Sequence, residues 1–404
     1  MSFIRKVGHG YWDMAMVISR VGALDPLKSN NGVFVANYQL AQEFAKLGKK
    51  ACLLANVKDK SDIQLSGIPL FHIDGSSDVA LADCLQRIGG CDTLIENSNA
   101  TACRNNICKR LIVIMHNRHH LWGVEQYGRA IYELPSAVVC VSRFSLEENL
   151  GWGVPPRLLK WIPNGCDFSV FYPRDVIRNP QRLIFAGYTS NRKGIHKAIE
   201  AFNNIKLNFF PELEMVVCGK QAAWGDSPEC NMWQARGWVD KNNLIDWKKI
   251  QTGCAGLNYI GEISPDELAV EFSKSSLLIL PSNVDTFGMV CVEAQGCGCI
   301  PIVPKNSCLV ETLEPHIRHH FSFDNDDVGS LHHLLIKQLK NRDIEIHRNR
   351  NIQYVNDNFS WTKSAKKYVN LLDAAPNNMQ MRVTSFRLKL AVLKAFKQLR
   401  CLSS

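Results

Sequence analysis

Two acids stand in the otherwise apolar run VDTFGMVCVEAQGCGCIPIV (284–303), Asp285 and Glu293, with Phe287 and Gly288 between them. The preceding PSN ends a strand, Asp285 to Gly288 read as a loop, and a helix runs from about Met289 until Gly298 closes it. The amides of Gly288 and Met289 then lie at a helix N-terminus, where free N–H groups and the helix dipole suit phosphate oxygens. Glu293 sits one turn in and leans back toward that terminus. From there a carboxylate can accept hydrogen bonds from a ribose diol. Asp285, in the loop, suits sugar hydroxyls or a developing positive charge.

A second corner of the same kind is GYTSNRKG (187–194), which links a strand end to a helix start. Glycine lets the backbone approach a ligand, the helix start supplies amides, and Arg192 and Lys193 add two cations, so the corner suits a diphosphate. His116, His119 and His120 imitate metal-ligand spacing but have no carboxylate partner in the sequence, and no metal is expected there. CGC (297–299) reads as the small-residue end of a helix rather than a ligand pair.

These corners need strands and helices in alternation, and the chain supplies them. WDMAMVIS (12–19) reads as a strand, VFVANYQLAQEFAKLG (33–48) as a helix closed by Gly48, and KACLLAN (50–56) as the next strand, a right-handed βαβ unit. Strands follow at 92–97, 110–116, 137–142 and 158–163, which completes a first doubly wound α/β domain over 1–165. Turn chemistry at Pro163, Asn164 and Gly165, and prolines at 173 and 180, predict an interdomain linker over 166–180. The alternation then restarts: strands at 182–188, 213–219, 256–261, 277–282 and 299–303, and helices at 193–205 and 265–275, within a second domain over 181–355. Two such Rossmann-like halves place a ligand at the carboxyl edges of their strands, facing a central cleft.

With the order of elements in view, the run from Asp285 to Glu293 resembles the E-x7-E signature of retaining GT-B glycosyltransferases of family 4, with Asp285 in place of the first glutamate. NGVFVANYQLAQEFAKLGKKACLL is similar to that family's glycine-rich first loop and helix, Gly32 falling at the loop, and VIMHN places His116 where the family has a histidine after a strand. IPNGCDFSVFYP resembles its linker, RKGIHKAIEAF its lysine-glycine helix, and FSWTKSAKKYVNLL (359–372) the terminal helix, expected over 356–375, that crosses back to the first domain. One departure is Gly187-Tyr188, where many members have glycine-arginine.

The resemblance implies the GT-B fold and transfer of a sugar, with retention, from a nucleotide diphosphate sugar to a hydroxyl of a glycan or glycolipid acceptor, in surface polysaccharide or lipopolysaccharide-type synthesis. It implies His116 and Asp285 as catalytic residues, and Gly32, Arg192, Lys193, Gly288, Met289 and Glu293 as donor-binding residues, with no obligatory metal or other cofactor. Attack on the face from which the leaving group departs and a covalent intermediate on Asp285 are both open mechanisms. Two other readings are a GT-B sugar-nucleotide epimerase and a non-catalytic GT-B scaffold at a membrane.

Composition is that of an ordinary globular protein: 404 residues, 46% hydrophobic and 21% charged, which argues for two domains. The 15 cysteines are spread through strand-like runs and read as small buried hydrophobes in a reducing cytosol. No signal peptide or spanning run is visible, so the expectation is cytoplasmic, peripheral on the inner face of a membrane at most. Of the net charge of +9, Arg382, Arg387, Lys389, Lys394, Lys397 and Arg400 supply six in a tail without acids, which argues against nucleic acid as a partner. Within the basic tail of 376–404, the segment 382–400 reads as an amphipathic helix. Leu388, Val392, Ala395, Phe396 and Leu399 share a face, and the basic residues lie opposite, interleaved with Phe386, Leu390 and Leu393. It suits either an anionic membrane surface or packing on the protein itself.

Overall fold

The computed structural model describes residues 8, 10–26, 32–99, 108–118, 124–223, 228–282, 284–325, 327–374, 382 and 384–392. The chain divides into two compact units: unit 1 is formed by 1–165 together with 361–404, and unit 2 by 166–360.

Unit 1 is built on an eight-stranded sheet in the order β3-β4-β2-β1-β5-β6-β7-β8. Its strands are β1 (Trp12–Leu24), β2 (Ala51–Val57), β3 (Ile63–Leu65), β4 (Ile68–His72), β5 (Cys91–Asn97), β6 (Cys108–Met115), β7 (Ala137–Cys140) and β8 (Leu159–Trp161). All neighbours are parallel except the β3/β4 hairpin. The helices are α1 (Gly32–Lys46), α2 (Asp78–Ile88), α3 (Val124–Tyr127) and α4 (Arg143–Gly151). Continuous apolar runs such as LIVIM at 111–115 are wholly buried, as parallel strands covered on both faces must be.

Unit 2 has a six-stranded, all-parallel sheet in the order β11-β10-β9-β12-β13-β14. Its strands are β9 (Asn179–Ala186), β10 (Glu214–Cys218), β11 (Leu257–Gly261), β12 (Ser275–Ile279), β13 (Ile300–Pro304) and β14 (Ser322–Phe323). Helices α5 (Ile195–Asn208), α6 (Pro228–Ala235), α7 (Trp247–Gly253), α8 (Pro265–Lys274), α9 (Met289–Gly296), α10 (Val328–Leu339) and α11 (Ile344–Asn358) connect them. A last helix, α12 (Trp361–Ala374), belongs to unit 1.

Two boundaries differ from the sequence reading. Residues 166–180 are not a free linker but part of unit 2. Phe171 is buried, the Arg174 guanidinium donates to the Val170 carbonyl and to Asp266, and Arg178 donates to the carbonyls of Phe272 and Cys297. Prolines and a lack of periodicity suggested a tether, but the arginines hold an irregular segment as firmly as a regular element. The helix expected over 356–375 is two helices, because α11 ends at Asn358 in unit 2 and α12 begins at Trp361 in unit 1.

α12 buries Trp361, Ser364, Ala365, Tyr368 and Leu372, one stripe at helical spacing. Tyr368 meets Phe44 of α1 edge-on with ring centroids 6.1 Å apart, and Thr362 donates to Glu43 at 2.7 Å. Gly165 makes the close approach possible, since a Cβ there would lie 2.3 Å from the Trp361 backbone nitrogen. The tail helix, described over 384–392, also packs on unit 1. Phe386 is buried edge-on against Tyr127, Leu390 packs beside it, Arg382 donates to the Pro135 carbonyl, and Lys389 pairs with Glu133 at 2.5 Å. Leu388 and Val392 on the other side remain 67% and 48% exposed. Residues 393–404, with the rest of the expected amphipathic face, lie outside the described residues.

Phe386→Ala should lower unfolding stability by about 3 kcal/mol, whereas Leu388→Ala should change it by less than about 0.5 kcal/mol. Chemical denaturation of the two variants checks this, and equal effects would contradict the docking seen here.

Candidate active site

In unit 2 the chain runs from β9 outward to β10 and β11, returns, and continues from β12 to β13 and β14 on the other side. β9 and β12 are adjacent and parallel, with Leu277 opposite Leu183 and Leu278 opposite Ile184. Connections leave these two strands in opposite directions, which opens a crevice at their carboxyl ends, the usual ligand position in doubly wound sheets.

The loop after β9 fills one side. Gly187, at φ 136°, touches the loop after β10, where a Cβ on Gly219 would fall 1.9 Å from the Gly187 carbonyl oxygen. A short turn at Asn191–Lys193 follows, and Gly194, at φ 75°, starts α5 with no side-chain cap. A Cβ on Gly194 would lie 2.2 Å from the Pro281 carbonyl oxygen, so glycine holds this corner against the loop after β12.

The loop after β12 forms the other side. Phe287 is buried edge-on against Phe359, and Gly288, at φ 88°, starts α9 without a side-chain cap. Its missing Cβ leaves room for Leu309, whose Cδ2 would otherwise be 2.3 Å away. Gln295 roots the far end of α9, donating to the carbonyls of Cys291 at 2.9 Å and Thr312 at 3.1 Å. Elsewhere Ser77, Ser142, Asp246 and Ser264 cap helix starts, so the amides of α5 and α9 are left for another acceptor.

Lys193 reaches across the crevice to Asp285 at 2.6 Å. Sequence reading gave these residues separate tasks; the structure pairs them, because the two loops converge at the switch point. Asp285 Oδ2 is nonetheless buried without a hydrogen-bond partner among the described residues, and so is the hydroxyl of fully buried Thr189. Thr189 escaped the sequence reading; its signal was its place between Gly187 and the basic pair. Arg192 is exposed, and Glu293 is partly buried one turn into α9. Burial pushes the Glu293 carboxyl up to about 7.

Unit 2 thus brings together Arg192, Lys193, Asp285, Gly288, Met289 and Glu293. Gly32 and His116 belong to unit 1. Gly32 is the first residue of α1, with open space where a Cβ would stand. His116 follows β6, and burial, opposed by the nearby Asn164 side chain, brings its imidazole down to about 4, so the ring is neutral at pH 7. His119 and His120 lie outside the described residues, and among the described ones no three His, Cys, Asp or Glu side chains cluster as metal ligands. The 12 described cysteines are all buried, and none of them forms a disulfide among the described residues.

Residues 174–357 match the family described as glycosyl transferases group 1. The matched segment carries both corners of the crevice. The chain is also 25% identical over 163 residues to the D-inositol 3-phosphate glycosyltransferase of Segniliparus rotundus, a match covering 38% of this chain and 33% of that protein. The chain therefore spans about a third of the length of that curated relative. Among solved structures, a sucrose-phosphate synthase from Thermosynechococcus elongatus superposes with a TM-score of 0.69 at 17% identity, over 89% of this chain and 98% of that one. HepE from Anabaena, in complex with UDP and glucose, gives 0.63 at 12% identity, over 90% and 100%. The chain has the GT-B fold, two Rossmann-like domains.

Because the folded state holds the Glu293 proton more tightly than the unfolded chain, its contribution to stability is complete below about 4.5 and is lost as pH rises toward about 7. Glu293→Gln should match the wild type near pH 4 and exceed it by about 1–3 kcal/mol at pH 8. Urea denaturation at the two pH values checks this; a variant no more stable at pH 8 would mean that the carboxyl is not strained by burial.

Proposed function

We propose that the protein is a retaining glycosyltransferase that moves a sugar from a nucleotide diphosphate sugar to a hydroxyl of a glycan or glycolipid, in surface polysaccharide or lipopolysaccharide-type synthesis. The observation that carries this reading is the convergence, on one switch-point crevice, of two uncapped helix starts, the Lys193–Asp285 pair and the Glu293 carboxyl. The match to group 1 glycosyl transferases and the fold shared with the UDP complex of HepE support it.

In this reading the diphosphate lies on the amides of Gly288 and Met289, with Arg192 and Lys193 as counter-charges and the ribose diol on Glu293. Lys193 exchanges its carboxylate partner for phosphate, and Asp285, with its spare oxygen, turns to the sugar hydroxyls. As the bond from the anomeric carbon to the donor phosphate oxygen breaks, negative charge grows on the diphosphate. The amides and cations stabilise that charge most in the transition state. The acceptor oxygen forms the new bond on the same face, and its proton passes to the departing phosphate. His116, neutral at pH 7, orients donor hydroxyls, and Gly32 opens the first helix for a close backbone approach. This scheme needs no divalent metal.

The exposed side of the tail helix, with Leu388 and Val392 beside Arg387, rests in this proposal on an anionic membrane surface, each basic residue of 382–400 adding about 1 kcal/mol. No helix of the described residues is long and apolar enough to cross a membrane.

A panel of nucleotide sugars in thermal-shift and hydrolysis assays tests the transferase reading. At least one should raise the melting temperature and be hydrolysed with its anomeric configuration kept. Lys193→Ala should lower affinity or turnover at least tenfold, about 1.5–3 kcal/mol. A panel without a single ligand, or an inverted product, refutes it. For the tail, Leu388→Asp with Val392→Asp should weaken binding to phosphatidylserine vesicles while sparing donor hydrolysis; unchanged vesicle binding removes the membrane from the proposal.

A further inference from the structure

Unit 2 carries a second hollow, at the opposite end of its sheet from the crevice. β9 and β10 are parallel, so α5, which joins them, starts at the carboxyl ends of the strands and runs back toward their amino ends. Its second half borders a cavity of about 250 Å³. Asn203, Asn204 and Asn208 of α5 line one wall, Arg236 and Trp238, from the stretch after α6, line the other, and Cys254, just before β11, lies between them. Asn203 and Asn204 stand about 14 Å along the helix from Gly194, so a ligand held at the crevice does not occupy this place.

The charges of the cavity are already matched. Arg236 pairs with Glu200 at 3.6 Å, and the indole nitrogen of wholly buried Trp233 donates to the same carboxylate at 3.3 Å. What remains is neutral: three carboxamides and an indole. The Asn208 amide donates to the Asn204 carbonyl, while the side chains of Asn203 and Asn204 have no hydrogen-bond partner among the described residues. Half-buried Trp238 is held in orientation from two directions. Trp233 meets it edge-on with ring centroids 5.1 Å apart, and the Arg236 guanidinium lies 5.1 Å from its ring centre.

We propose that this cavity is a second saccharide-binding position, away from the crevice, that takes one uncharged ring of a glycan. Each carboxamide both donates and accepts, as the neighbouring hydroxyls of a sugar require. The fixed indole adds a flat apolar wall for the C–H face of a ring. A phosphorylated or otherwise anionic ligand finds no open cation, because Arg236 is met by Glu200. The volume falls short of the roughly 300–1,000 Å³ of pockets that enclose drug-sized ligands, which suits a single ring and not a nucleotide. In the transferase reading above, on which this role rests although the binding does not, the position holds a glycan chain while another part of that chain reacts at the crevice.

NMR of the indole N–H signals of the full chain tests the assignment, with the Trp238 signal identified by its loss in Trp238→Phe. The probes are maltose, cellobiose, lactose and diacetylchitobiose, with hexose phosphates as charged comparators. At least one disaccharide should shift the Trp238 signal, and Asn203→Ala combined with Asn204→Ala should weaken that binding about tenfold. Both asparagines are at least partly open to solvent, so the double variant should keep its melting temperature and its donor hydrolysis. Lys193→Ala, at the crevice, should leave the disaccharide shift as it is. The proposal is overturned if no disaccharide moves the signal, if only the phosphates do, or if the double variant binds as tightly as the wild type. It is also overturned if the signal moves with protein concentration alone, which would give this surface to a second copy of the chain. A Trp238 shift in a protein that hydrolyses no nucleotide sugar would uphold the position and refute the transferase reading, whereas hydrolysis without any shift would remove the position alone.

Discussion

The candidate site depends on one constraint, that the chain must leave β9 and β12 in opposite directions while the strands stay hydrogen-bonded. The loops that follow are forced together over the gap, and only glycine fits where they meet. Gly194 faces the Pro281 carbonyl, Gly219 faces Gly187, and Gly288 makes room for Leu309. These approaches bring the uncapped starts of α5 and α9 to one crevice and set Lys193 within 2.6 Å of Asp285. A side chain at any of the three would part the loops before it touched a ligand.

Much of this geometry was legible in the sequence. Apolar runs of strand length gave the sheets, and the glycine before each helix marked the corner where amides are left free. Asp285 and Glu293 stood out because acids are rare in buried segments. The Lys193–Asp285 contact was not legible, since it joins two loops that only the sheet order brings together. Thr189 was passed over for a different reason: a lone threonine near a strand end has no spacing to read.

The misread segments share a cause. The stretch 166–180 lacks periodicity, yet Arg174 and Arg178 tie it to carbonyls that sequence cannot place. The hairpin β3–β4 went unassigned because its strands are only three and five residues long. The tail shows the limit of a helical wheel, which finds apolar faces but not which of them meets the protein. Here the face of Phe386 and Leu390, interleaved with basic residues, is the one that packs.

The return of α12 to unit 1 bears on the order in which the protein is made. Unit 2 is continuous in sequence, whereas unit 1 is closed by residues that follow it. During synthesis the strands β1 to β8 emerge first but lack the helix that covers Phe44 and donates a hydrogen bond to Glu43, so they must wait, with apolar surface showing, while unit 2 completes itself. A ribosome stalled before Trp361 would therefore carry a finished second unit on an unfinished first, and the half begun earliest is the one most in need of a chaperone.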